Sequence, residues 1–392
     1  MTPQFLIIAG DFTSWGGMDR ANYELAWHLA TRAGVTVHLV AHSVAPPLRD
    51  HPLVRWHRVA KPMDRYALGG PLLALQGRWL ATKVALAGGR VVVNGGNCAW
   101  PDVNWVHAVH GAWPRRDHHA PLMFRLRAAF SRRGARIAER RSLRMARVIV
   151  TNSKRARQQV LEGGSVPPHR VRTVYYGIDP LAFRPASSTE RAEARQSLEL
   201  PEKSPVIAFV GALGHDRRKG IDVVFAAWEL LCSDSGWDGH LVVAGAGAEL
   251  DLWRRRATAP TLRHLVRFLG FTKEVPRLMA AADAFVSPTH YEPYGLSVHE
   301  ALCCGLPAFV TTTAGVAERY PAMFSDLLLR HPPDPVELAQ RLRQWRFDIE
   351  GYRARVAPLA AHLRQRTWDD MAREIVECVV ADDAPRNDVC LP

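Results

Sequence analysis

Short, nearly continuous apolar runs alternate with longer stretches of helical period through both halves of the chain. Phe5–Ala9 is the first such run. Gly16-Gly17-Met18 then opens a segment in which Leu25, Leu29 and their neighbours form one apolar face as far as Gly34, and a second apolar run follows at Val35–Ala41. Apolar runs this short predict strands buried on both faces, and the periodic stretches between them predict helices. Further strands are expected at Val91–Asn94, Val103–Val109, Arg147–Thr151 and from Val171 towards Gly177. The alternation starts afresh with Val206–Val210, a Gly-containing loop and a helix from Ile221, then Leu241–Gly247, Val266–Phe271 and Ala284–Val286. A helical stretch from Ser297 to Cys304 stops at Gly305-Leu306-Pro307, where Gly and Pro end a helix, and Ala308–Val310 is the next strand. Strand, Gly-rich turn, helix and strand in both halves predict an α/β protein with two Rossmann-like, doubly wound domains.

At 392 residues the chain exceeds one ordinary core and fits two domains. Ile178-Asp179-Pro180 to Pro185 reads as the exit from the first, and Pro201 to Pro205 precedes the second alternation. The expected division is therefore 1–185 and 186–365, with a last helix in 366–380 and a frayed tail over 381–392. The two βα halves are the one repeat expected.

Hydrophobic content of 47% and charged content of 23% are globular values. The six cysteines show neither the density of a disulfide framework nor paired metal-ligand spacing. His118-His119 lacks a third ligand nearby, so no metal and no cofactor are expected. Phe5–Ala9 is too short for a signal sequence and lacks a basic flank, and no stretch approaches a membrane-spanning length, which predicts a cytoplasmic protein.

Charge changes the picture in one place. The net charge is +13, and Arg115–Arg157 alone holds fourteen basic residues against Asp117 and Glu139. Arg125, Arg132, Arg136 and Arg140 fall on one helix face and Leu122, Leu126 and Phe130 on another, with Gly134 expected to split the segment into two helices. A basic amphipathic helix suits an anionic membrane surface, and an outer helix that is merely solvated fits equally well. Its few aromatic residues, Phe124 and Phe130, argue against nucleic acid.

Candidate chemistry concentrates between Asp283 and Glu318. Here a strand leads into a polar loop, Glu292-Pro293-Tyr294-Gly295-Leu296, and a helix start. A glycine allows close backbone approach, and free N–H groups with the helix dipole favour an anion such as a diphosphate. Glu292 and Glu300, eight residues apart, taken alone read as a helix cap and a solvated helix residue. Arg217, Arg218 and Lys219 follow another strand in a Gly-containing loop, a composition that suits phosphate oxygens. Gly16-Gly17 is either a tight turn or a close backbone approach. His107 and His110 are placed at a strand end, three residues apart, so that at most one of them faces a ligand and the other is structural. Gly245-x-Gly247 lacks a third glycine at dinucleotide spacing, which disfavours a nicotinamide enzyme.

Glu-Pro-Tyr-Gly-Leu, Glu-Ala-Leu-Cys-Cys-Gly-Leu-Pro and Ala-Gly-Val-Ala-Glu together resemble glycosyltransferase family 4, as does Thr151–Pro185. The resemblance implies the GT-B fold, two Rossmann-like domains facing across a cleft, and retaining transfer from a nucleotide-diphosphate sugar to a hydroxyl acceptor, such as a lipid-linked or cell-envelope glycan. Glu292 would then contact the donor sugar, Glu300 the ribose hydroxyls, and the backbone of Gly295, Leu296 and Ser297 the diphosphate. Arg218 and Lys219 would neutralise that diphosphate, Gly16 and Gly17 would approach the donor, and His107 or His110 would stand near the reacting sugar. The loop after Leu269-Gly270 would seat the base, and Thr367–Val376 would be the family's last helix, crossing back to the first domain. Two positions depart from the pattern: Ala212 stands where many relatives have Arg, and Ala314-Gly315 where many have two glycines. An epimerase or phosphorylase on the same fold is the enzymatic alternative, and a nucleic-acid binder the non-enzymatic one.

Overall fold

The computed structural model describes residues 4–380 apart from 165 and 263, so the expected tail at 381–392 lies outside the described residues. The chain forms two compact units, the first comprising Met1–Ala112, Ala129–Gly177 and the stretch from Trp368, the second Trp113–Ala128 and Ile178–Thr367. The main stretch of the second unit thus begins at Ile178, ahead of the expected boundary at 185. Trp113–Ala128, expected in the first domain, goes with the second because its side chains pack there. Trp113 stacks on Tyr291, Arg116 pairs with Asp222, and Phe124 meets His215 edge-on.

The first unit is built on β1 (Gln4–Ile8), β2 (Thr36–Ala41), β3 (Val54–Arg58), β4 (Arg90–Asn94), β5 (Val103–Val106), β6 (Val148–Thr151) and β7 (Val171–Thr173). Their spatial order is β3-β2-β1-β4-β5-β6-β7, all parallel. Leu6, Ile7 and Ile8 are wholly buried, as apolar runs covered on both faces must be, and full burial of each such side chain contributes about 1.5–3 kcal/mol. Helix α1 (Met18–Thr31) follows the Gly16-Gly17 turn, and α2 (Tyr66–Leu86) follows β3. The expected strand Val103–Val109 stops at Val106, which leaves His107 and His110 beyond the ladder, where the alternation of strand faces no longer governs them.

Helix α3 (Leu122–Met145) runs unbroken through Gly134. The expected break is absent because one interior glycine costs only about 1 kcal/mol relative to alanine, less than interrupting the hydrogen-bond ladder.

The second unit repeats the design with β8 (Val206–Val210), β9 (His240–Ala244), β10 (Val266–Gly270), β11 (Ala284–Ser287), β12 (Ala308–Thr311) and β13 (Leu328–Leu329). The order is β10-β9-β8-β11-β12-β13, again all parallel. Phe209, Phe225, Trp228, Trp253, Phe285 and Phe309 anchor its core. Helix α4 (Ile221–Cys232) follows β8 and α5 (Leu296–Cys303) follows β11. The last helix, α6 (Trp368–Val380), packs within the first unit. There Asp369 bonds His28 at 2.8 Å, and Trp368 lies 6.0 Å from the Tyr176 ring.

Candidate functional site

The second sheet winds from β8 outward to β9 and β10, then restarts on the other side of β8 at β11. Loops leaving β8 and β11 at their carboxyl ends therefore diverge, which is where ligands of such sheets bind. These two loops are Gly211–Gly220 and Pro288–Gly295.

Glycine brings them together. Gly220 has φ +79, and a Cβ there would lie 1.9 Å from the Pro288 carbonyl oxygen. With the backbones this close, the Arg218 carbonyl accepts from the His290 N–H at 2.9 Å and from the Thr289 hydroxyl at 2.8 Å. Gly295 caps α5 at φ +105, a left-handed conformation that side chains rarely adopt. From the other flank, the Gly315 N–H donates to the Glu292 carbonyl at 3.1 Å and the Val316 N–H to Tyr294 at 2.6 Å. The loop that carries Glu292 is thus pinned on both sides.

The side chains follow from that register. The Lys219 ammonium pairs with the Glu292 carboxylate, bringing together two residues 73 positions apart. Arg217, itself at φ +45, is held by Glu249 at 2.8 and 3.2 Å and lies 5.2 Å from the Trp253 ring. Arg218 instead lies 4.3 Å over Trp113, with its approach to Asp216 at 3.7 Å. Of the two arginines in this loop, Arg217 already has its charge neutralised. Gly295, Leu296 and Ser297 form the N-terminal turn of α5, and Glu300 lies buried in the next turn.

A second polar chain backs the loop. His290 Nε2 lies 3.2 Å from Asp222, which also accepts from Arg116 at 3.0 Å. Burial pulls the Asp222 carboxyl up, but the hydrogen bond and charge of His290, with Arg116, outweigh it and hold the group below its ordinary value.

In the first unit, Gly16 (φ +88) and Gly17 lead into α1, and a Cβ on either would meet nothing within 4 Å. His107 is buried, with Nδ1 2.5 Å from the Tyr176 hydroxyl, and burial lowers its pKa to about 3, so the ring is neutral at pH 7. His110 differs. Its Nδ1 bonds the Glu139 carboxylate at 3.0 Å, the same carboxylate accepts its backbone N–H at 3.1 Å, and its side chain is one-third exposed. Glu139 is itself buried.

Three residues with evident roles here escaped the sequence reading. Glu139 was counted only as charge, although a lone carboxylate within an arginine-rich helix is itself a signal. Trp113 and Asp222 meet their partners only through the fold.

Residues 15–180 match the family model described as Glycosyltransferase Family 4, and residues 190–356 match that of Glycosyl transferases group 1. A D-inositol 3-phosphate glycosyltransferase of Salinispora tropica is 31% identical over 255 residues, 62% of this chain and 52% of its own. The chain spans about half the length of the curated relatives it matches. Among solved structures, WaaG, a glycosyltransferase involved in lipopolysaccharide biosynthesis, is similar with a TM-score of 0.75 at 19% identity, covering 96% of this chain and 99% of that one. HepE of Anabaena, crystallised with UDP-glucose, gives 0.71 at 18% identity over 96% and 99%.

Proposed function

Because the chain belongs to family 4 of the glycosyltransferases, with a group 1 domain as its second half and the GT-B fold, we propose that it is a retaining hexosyltransferase moving sugar from a nucleotide-diphosphate donor to a hydroxyl acceptor. The observation that carries this is the Lys219–Glu292 pair at the switch between β8 and β11. An ammonium and a carboxylate held side by side match a donor whose diphosphate needs cations and whose sugar offers hydroxyls.

In this reading Arg218, Lys219 and the backbone N–H groups of Gly295, Leu296 and Ser297 receive the diphosphate. Glu300 takes the ribose and Glu292 the sugar. The bond from the anomeric carbon to the diphosphate breaks while the acceptor oxygen bonds on the same face, and a leaving-group oxygen takes the acceptor proton. Preorganised cations stabilise the charge that develops on the diphosphate. His110, oriented by buried Glu139 and open to solvent, suits the family's histidine better than His107, which is enclosed and neutral. Gly16 and Gly17 would let backbone approach a nucleotide-sugar donor. No metal or cofactor enters this scheme.

A lipid-linked acceptor fits the surface of α3. Leu122, Met123, Leu126, Phe130 and Ile137 are exposed beside its arginines, as in a helix lying in a membrane interface. Among the described residues no helix is long and apolar enough to cross a membrane. Sedimentation with anionic vesicles should therefore exceed that with neutral ones and fall with salt, and equal partitioning would refute the lipid surface.

The reaction is tested by incubating the chain with a panel of nucleotide sugars and following nucleoside diphosphate. Release that depends on a hydroxyl acceptor is expected. Release without an acceptor, or a sugar 1-phosphate product, would favour the epimerase or phosphorylase.

A further inference from the structure

Trp113–Ala128 follows the first unit's Ala112 in sequence yet folds with the second unit. Its contacts all fall on the two loops of the candidate donor site or beside them. Trp113 stacks on Tyr291 and lies 4.3 Å from the Arg218 guanidinium, Arg116 bonds Asp222, and Phe124 meets His215 edge-on at 4.7 Å. His119 lies within range of the charges of Arg217, Glu249 and Asp222. The segment is thus a strap across Gly211–Gly220, held partly by a cation–π contact between its tryptophan and an arginine of that loop.

Within the strap, Arg116 stands where the two loops meet. Its partner Asp222, 106 positions away, lies in the first turn of α4, one helical turn beyond Lys219. Asp222 also bonds His290, whose backbone N–H donates to the Arg218 carbonyl and which shares its loop with Glu292.

The cations of the loop itself already share their charge. Arg217 gives two nitrogens to buried Glu249, Lys219 pairs with Glu292, and Arg218 lies between Trp113 and Asp216. Ala212, exposed in the same loop, adds no charge. Arg116 is differently placed from Arg217. It touches Asp222 through one terminal nitrogen, at 3.0 Å, it shares that carboxylate with His290, and its side chain is one-third exposed. A guanidinium carries five N–H donors in a planar fork, so it can keep Asp222 and still offer N–H groups to phosphate oxygens.

We propose that this strap completes the donor site and that Arg116 binds the donor's diphosphate, supplying from outside the loop the cation that Ala212 does not. The inference rests on the glycosyltransferase reading. Arg116 then offsets charge on the bound diphosphate, and more strongly as that group leaves the sugar.

Calorimetry on the full chain with UDP, GDP and ADP tests it in wild type, Arg116→Ala, Arg115→Ala, Lys219→Ala and the double variant that joins Arg116→Ala to Ala212→Arg. A nucleotide that binds wild type should bind Arg116→Ala roughly 10–100-fold more weakly, the usual loss for a hydrogen bond between charged groups. Arg115→Ala, which removes the same charge from the exposed neighbouring residue, should bind as wild type does. Ala212→Arg should restore most of the affinity in the double variant, because it returns a cation to the loop and nothing to Asp222. Affinity of Arg116→Ala within about twofold of wild type would overturn the proposal, and with Lys219→Ala weakened it would leave the donor reading standing. A loss that Ala212→Arg fails to restore would make Arg116 a brace for Asp222 alone and overturn it too. Binding of none of the three nucleotides to wild type would sink the donor reading itself, and the role of Arg116 with it.

Discussion

Two sheets, of seven and six strands and wound alike over the six they share, place different charges at their carboxyl edges. At the carboxyl edge of the second sheet stand Arg217, Arg218 and Lys219, with Glu292 drawn against the lysine. At that of the first stand Asp11 and His42, with Lys61 tied to Asp64. Strand order decides where loops gather, and loop residues decide which charges stand there.

The strongest way to break this contrast is to discharge the edge of the second sheet. Lys219→Ala and Glu292→Gln should each lower transfer roughly 10²–10³-fold, the usual loss for one preorganised electrostatic contact, with circular dichroism unchanged. Activity near wild type in both would remove the second edge from the chemistry.

The histidines sharpen the contrast within the first unit. His110→Ala should cost roughly 10²-fold in kcat. His107→Phe should act mainly on stability and its pH dependence. Burial lowers the His107 pKa to about 3 from 6.5, so the unfolded chain takes up a proton that the native ring refuses, and stability falls as pH drops from 6.5 towards 3. Urea titrations at pH 4.5 and 7.5 should show a smaller acid loss in the variant. A larger activity loss in His107→Phe than in His110→Ala would reverse the assignment.

A smaller effect is expected at Trp113, which packs on Arg218. A cation–π contact is worth about 0.5–2 kcal/mol, so Trp113→Ala should weaken nucleotide-sugar binding roughly 2–30-fold. Calorimetry on the donor reads this directly, and an unchanged Kd would leave Trp113 with a packing role alone.

Asp19, near Asp11 and Lys61, gives a signal in stability alone. Burial first, then the charge of Asp11, raises its pKa from 3.8 to about 7, with Lys61 pulling the other way. The native state keeps a proton that the unfolded chain releases, so this group costs stability as pH climbs from about 4 to 7, and the cost is constant above. Asp19→Asn removes the charge, and its Tm relative to wild type should rise between pH 5 and pH 8. A difference that stays flat with pH would show that Asp19 is not held protonated.

What the sequence by itself determined about this protein is local. Apolar runs such as Phe5–Ile8 and Val206–Phe209 became buried parallel strands, because residues of that kind have no solvated alternative of equal free energy. The Glu292–Glu318 motif marked the strand-to-helix loop, since a glycine at φ +105 leaves its trace in the sequence. Tertiary structure decided everything that depends on which loops meet. It joined Lys219 to Glu292, gave Arg217 to Glu249 and Arg218 to Trp113, and carried Trp113–Ala128 into the second unit. It ended β5 at Val106, so that His107 and His110 were sorted by Tyr176 and Glu139 rather than by strand alternation. Strand propensity and helix caps act over a few residues. Hydrogen-bond partners across 29 to 73 positions are chosen by the packing of whole sheets, and one sequence carries no direct record of that choice.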